Sequence, residues 1–176
     1  MKIGIFCSAN NNIAPEYFQL TEELGKWMGE NGHTVVYGGC DSGLMRTIGN
    51  AVHENGGRCI GVVPRIIEEG GRQATCLDVD IPCENLSDRK DIILMHSDLV
   101  VALPGGIGTL DEVFTVAASK TIGYHEKFVI LYNMNGFWDS LIALLDDLQS
   151  KAMIRGDYHS FIKSVNNLEE LKSLLS

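Results

Sequence analysis

Short apolar runs recurring between stretches of helical periodicity constrain this chain more than any other feature. KIGIFC (Lys2 to Cys7), HTVVYGG from His33, RCIGVVP from Arg58, DLVVALP from Asp98 and KFVILYN from Lys127 are too short for helices and are dominated by apolar residues. That is how strands covered on both faces read. Between the first two, Pro15 can open a helix, and Phe18, Leu20, Leu24, Trp27 and Met28 recur at helical spacing until Asn31-Gly32 stops it. SGLMRTIGNAVHENGG, LSDRKDIILMHS, GTLDEVFTVAASKTIG, GFWDSLIALLDDLQS and NLEELKSLLS read as further helices, with a short strand at Phe161 to Val165. Such alternation implies an α/β fold, a mostly parallel sheet with helices on both faces.

Residues 65 to 85 interrupt the rhythm. RIIEEGGRQATCLDVDIPCEN mixes charges and glycines with one weak extended run near Leu77 to Ile81, and reads as a partly mobile excursion. The full length, 176 residues, suits one domain with a complete core. A net charge of −9 argues against a surface that neutralises many nucleic-acid phosphates. Neither a signal-peptide core nor an apolar segment of membrane-spanning length is present, so a cytoplasmic protein without membrane contact is expected. Cys7, Cys40, Cys59, Cys76 and Cys83 form no C-x-x-C pair and stand in no zinc-like spacing with histidines. Reduced, mostly buried thiols and no metal are expected.

In an open parallel sheet, ligands bind outside the carboxyl ends of the strands, near the point where strand order reverses. The segments leaving strands there are Ser8, Ala9 and Asn10, then YGGCDSGLM (Tyr37 to Met45), then ALPGGIGTLDE (Ala102 to Glu112). A glycine pair after a strand lets a ligand approach the backbone, and the next helix offers unpaired N–H groups to an anion such as phosphate. Neither loop matches the dinucleotide fingerprint or the P-loop. The bland alternatives stand beside this reading. Gly38, Gly39, Gly105 and Gly106 serve equally as tight turns, Asp111 and Glu112 as first-turn charges on a helix dipole, and Arg89 and Lys90 as a solvated face.

At PGGIGTLDE, Pro104 to Glu112, the sequence resembles the Lonely Guy (LOG) family, whose signature is PGGxGTxxE. The resemblance extends through VVYGGCDSGLM, AVHENGG, IGVVP, DRK, HSDLVVALPGGIGTLDE and IGYHEKFVILYN, over most of residues 1 to about 140. It implies a Rossmann-like, doubly wound domain. The activity implied is that of a phosphoribohydrolase, which cuts the N-glycosidic bond of AMP or a cytokinin riboside 5′-monophosphate without a cofactor. Carried over, Arg89 and Glu112 correspond to the catalytic pair and Lys90 to a neighbouring substrate contact. Gly105, Gly106, Ile107, Gly108, Thr109, Leu110 and Asp111 correspond to the phosphate-contacting loop and its flanking acid. Gly43, Leu44 and Met45 match the second loop; Ser8 joins the substrate-binding set by its place at the end of the first strand. The resemblance also implies a homodimer that completes the site across its interface.

The chemistry suits those residue types. An N-glycosidic bond breaks through an oxocarbenium-like transition state, which needs negative charge beside the ribose and a held water. The sequence departs from the family pattern where Cys40 and Arg46 stand for glycines, where Leu86 and Ser87 stand for Met-His, where Ile66 replaces an acid, and where Ser119 to Gly123 lacks a Trp. Many relatives carry the older label of lysine decarboxylase, but no motif for pyridoxal phosphate is present. The rival from another class is a non-catalytic nucleotide or molybdenum-cofactor carrier of the same fold, which need not keep Arg89 with Glu112.

Overall fold

Each apolar run becomes a strand of one sheet. In the computed structural model, residues 1–175 are described, the side chains of Ile67 and Glu68 excepted. The strands are β1 (Lys2–Phe6), β2 (Thr34–Tyr37), β3 (Arg58–Pro64), β4 (Val79–Cys83), β5 (Leu99–Ala102), β6 (Val129–Tyr132) and β7 (Ile162–Val165). The helices are α1 (Pro15–Glu30), α2 (Gly43–Glu54), α3 (Arg65–Glu69), α4 (Leu86–His96), α5 (Ile107–Thr121), α6 (Asp139–Ser150) and α7 (Leu168–Leu175). The sheet order is β4-β3-β2-β1-β5-β6-β7, with every ladder parallel. The chain winds outward from β1 through β4, then returns to lay β5 on the other side of β1. The strand order reverses between β1 and β5, and this is a Rossmann-like, doubly wound sheet.

The pleat explains why the runs are apolar on both faces. Ile3, Ile5, Val101 and Ile130 point to the side covered by α1, α2 and α7, where Leu24, Met28, Leu44, Ile48 and Leu171 pack. Their neighbours Phe6, Val100, Ala102, Val129 and Leu131 point the other way, against Ile93 of α4, Val113 and Val116 of α5 and Leu145 of α6. Successive strand residues thus feed two separate cores.

Residues 65 to 85 are more regular than the sequence suggests. Arg65–Glu69 forms α3, and Val79–Cys83 pairs with β3 in register from Ile60↔Val79 to Pro64↔Cys83. The strand is faint in sequence because it lies at the sheet edge, half exposed, where Pro82 is tolerated. Asp78 locks its start, accepting from the Cys59 amide at 2.7 Å. The helix read from Gly136 starts later, at Asp139, because Gly136 turns left-handed (φ 75°) and closes a 3₁₀ turn first.

All five cysteines are free thiols, and only Cys40 is not fully buried. No helix among the described residues is long and apolar enough to cross a membrane.

Candidate active site

At the carboxyl ends of β1 and β5 the first residues after each strand open a cleft of about 350 Å³. Its walls are Cys7, Ser8, Ala9 and Asn10 after β1, Met45 from α2, Leu86, Arg89 and Lys90 from α4, Gly106 just before α5, and Gly108, Thr109, Asp111 and Glu112 from α5. Leu86, Arg89 and Lys90 share one face of α4 because they stand three and four residues apart. The start of that helix is fixed by Asn85, whose side chain accepts from the amides of Ser87 and Asp88, while Asp88 reaches back to the Glu84 amide. The departure at Ser87 therefore sits in a working cap.

Two cations on α4 face two carboxylates on α5. Outside, Lys90 Nζ donates to both oxygens of Asp111, at 2.9 and 2.7 Å, with Asp111 half exposed. Inside, Arg89 Nη2 and Glu112 Oε1 are 3.9 Å apart, and both side chains are buried, 13% and 10% exposed. The outer pair is tight and, through Asp111, half exposed; the inner pair is loose and buried at the cleft wall. Burial pushes the Glu112 carboxyl up to about 7, with Asp111 adding to the rise and Arg89 and Lys90 opposing it. A carboxyl that titrates near neutrality can take a proton from water and return it. Burial and the neighbouring Glu112 together push the Cys7 thiol up, so it stands as a neutral floor to the cleft.

The two glycine loops do different work. No side chain caps α5 at Gly106, which leaves the first amides of that helix to a ligand on the cleft side. On α2 the equivalent amides are taken: Gly43 N donates to Asn11 Oδ1 at 2.9 Å and Leu44 N to Ser8 O at 2.9 Å. The Tyr37 to Met45 loop thus braces the Ser8 to Asn11 loop and gives the cleft only Met45. Gly43 is left-handed (φ 56°), and a Cβ there would lie 2.5 Å from the carbonyl carbon of Ala9.

Of the residues singled out in the sequence, Ser8, Met45, Arg89, Lys90, Gly106, Gly108, Thr109, Asp111 and Glu112 meet in the cleft wall. Gly43, Leu44, Gly105, Ile107 and Leu110 stand outside it. Leu44 is wholly buried in the core, and Gly105 is pressed beneath Thr109, whose Oγ1 lies 2.0 Å from where a Cβ would stand. Ile107 points to solvent, 84% exposed, and Leu110 packs into the core on the α5 side, because helical rotation turns both off the cleft face. Cys7 and Leu86 were missed. Cys7 ends the first apolar run and Leu86 stands one turn before Arg89, signals that spacing alone supplies. Of the other departures, Arg46 folds back on its own loop, with Nε 2.9 Å from Asp41 Oδ1, and Ile66 is exposed on α3.

The family model described as possible lysine decarboxylase matches residues 45–175. The rice cytokinin riboside 5′-monophosphate phosphoribohydrolase LOG is 32% identical over 170 residues, 97% of this chain and 70% of that protein. The Arabidopsis thaliana enzyme of the same name, LOG5, is 30% identical over 97% of this chain and 75% of its own length. Among solved structures, the molybdenum cofactor carrier protein of Chlamydomonas reinhardtii superposes with a TM-score of 0.73 at 23% identity, covering 99% of this chain and 96% of that one, a likeness of fold. A family match over most of the chain and similarity to LOG proteins over 97% of this chain agree with the PGGIGTLDE loop, and the chain belongs to the family described as possible lysine decarboxylase, that of the LOG phosphoribohydrolases.

Proposed function

We propose that this protein hydrolyses the N-glycosidic bond of a nucleoside 5′-monophosphate, AMP or a cytokinin riboside 5′-monophosphate, to free base and ribose 5-phosphate. The observation that carries the reading is Glu112, a buried carboxyl raised to about 7 and set one turn into α5, beyond the uncapped amides that start the helix. Phosphate on those amides puts the ribose against Asp111 and Glu112. Glu112 as carboxylate takes a proton from water, the water oxygen bonds to the anomeric carbon, and the C–N electron pair leaves with the base, which receives the proton held by Glu112 and so restores the carboxylate. The same carboxylate offsets positive charge on the ribose in the transition state, and Arg89 orients it. Lys90 and Asp111 flank the entrance and contact the ribose and phosphate.

Lysine decarboxylation, the family's older description, does not fit these residues. It needs pyridoxal phosphate on a lysine whose amine is free to form a Schiff base, whereas the cleft's lysine, Lys90, has its amine on both oxygens of Asp111.

The test is incubation with AMP and, separately, with isopentenyladenosine monophosphate. Free base and ribose 5-phosphate are expected in equal amounts. Tight nucleotide binding with no base released would overturn the reading in favour of a carrier.

A homodimer belongs to the same proposal. On α5, Ile107 and Phe114 stand two turns apart and are 84% and 40% exposed, and Ile122 and Tyr124 follow at 67% and 79%. An apolar stripe beside the cleft is suited to a second copy. Sedimentation should give twice 19.3 kDa for the wild type, and Phe114→Asp should return it to one chain with reduced turnover. A wild-type monomer with full activity would refute the pairing.

A further inference from the structure

We propose that Gly38 is a positioning residue for this reaction: the space left by its missing side chain sets where the Arg89 guanidinium stands against Glu112. The inference rests on the hydrolase reading of the cleft.

Gly38 follows β2 directly and does not line the cleft. A Cβ placed on it would lie 1.8 Å from Arg89 Nη2, 2.7 Å from Cζ and 3.2 Å from Nε, so its three nearest neighbours are all atoms of that one guanidinium. Gly38 is not among the left-handed glycines of the chain, whereas Gly39 next to it is, at φ 63°. An alanine at Gly38 is therefore compatible with the backbone, and only the bulk of its methyl group is at issue. The atoms in its way end a flexible side chain, which can swing aside.

Hydrogen bonds do little to hold Arg89 in place. Its Nε is buried with no partner, and the ion pair with Glu112 spans 3.9 Å, longer than a hydrogen bond. Where polar contacts leave a group loose, the shape of its seat decides its position. Here the seat includes the bare α-carbon of Gly38, against which the guanidinium is pressed while it stands 3.9 Å from the Glu112 carboxylate. A guanidinium held by shape can tighten onto carboxylate or ribose hydroxyls as charge develops, which a fully bonded one cannot do without first breaking bonds. The second loop thus reaches the chemistry through α4.

The experiment compares Gly38→Ala, Arg89→Ala and the double variant in AMP hydrolysis. Gly38→Ala should fold, shown by far-UV circular dichroism, and lose about 100-fold in kcat, the scale of a misplacement near 1 Å. In the Arg89→Ala background it should cost nothing further, because the atoms it displaces are gone. The acid limb of the pH profile should move to higher pH in Arg89→Ala, which removes the stronger of the two cations drawing the Glu112 titration down, and should leave its wild-type position in Gly38→Ala as well, because the guanidinium is displaced. Should Gly38→Ala fail to fold, the double variant must fold; a double variant that also fails overturns the proposal. So does wild-type kcat in Gly38→Ala when Arg89→Ala has lost activity. Wild-type turnover in Arg89→Ala would instead bring down the hydrolase reading of the pair.

Discussion

Glu112→Gln is expected to cut turnover by orders of magnitude and, above neutral pH, to stabilise the fold. The loss in kcat should be about 10²–10⁴-fold, the range for removing a positioned general base. The gain follows from proton linkage. Burial holds the Glu112 carboxyl at about 7 against an ordinary 4.5, so the folded chain binds this proton more tightly than the unfolded one. Its contribution to stability is complete below pH 4.5 and is lost as pH rises through 7, where the fold must carry a buried carboxylate. The attraction of Arg89 is already included in that net shift. A neutral amide escapes the penalty, which is on the order of 3 kcal/mol at pH 8. Thermal unfolding of the two proteins from pH 4 to pH 8 should diverge with rising pH, the Gln variant melting higher at the alkaline end. Parallel curves would show that Glu112 is not the group strained by burial, and unchanged kcat would remove it from the mechanism.

The second large effect is expected at Gly43→Ala, outside the cleft wall. A left-handed backbone costs a non-glycine residue roughly 1–2 kcal/mol. The added methyl would stand 2.5 Å from Ala9 C, 2.7 Å from Asn10 N and 2.7 Å from Ser8 O, all main-chain atoms with no side-chain rotamer to yield. Together these should destabilise the protein by about 3 kcal/mol, lowering Tm by roughly 6–12 °C in a chain of this size. Activity should suffer beyond the stability loss, since the displaced segment is the Ser8 to Asn10 wall. Gly106→Ala is the control: nothing lies within 4 Å of its Cβ position, and its Tm should stay within about a degree or two of wild type. Equal melting of Gly43→Ala and wild type would contradict the bracing role of the second loop.

These contrasts show what the sequence made legible. Strands buried on both faces announce themselves as apolar runs, and β1, β2, β3, β5 and β6 were readable for that reason. β4 showed only as a weak extended run, because an edge strand half exposed to water and carrying Pro82 has little apolar residue to display. In the site, spacing left Arg89, Lys90, Asp111 and Glu112 open to bland readings, and the resemblance at PGGIGTLDE singled them out; the structure sets the two cations on α4 against the two carboxylates on α5. Glycine was the ambiguous letter. Gly106 opens an amide to a ligand, Gly43 lets two loops touch, Gly105 makes room for Thr109 and Gly38 for Arg89, yet in sequence all four are one residue type after a strand. Only the position of neighbouring atoms separates binding by backbone from packing against it.

The path of α4 carries one further consequence. Leaving β4 at the sheet edge, this helix crosses over β3, β2 and β1 before the chain enters β5. Arg89 and Lys90 thus arrive from the strand farthest out on one side, while Asp111 and Glu112 follow the first strand laid on the other. Neither half of the sheet contains a usable portion of the cleft. A ligand clasped between α4 and α5 binds only the fully assembled chain, so its binding energy adds to the barrier against global opening. Amide hydrogens deep in β3, two strands removed from β1 and the cleft, would then exchange more slowly when the cleft is filled, as the whole sheet must part to release them.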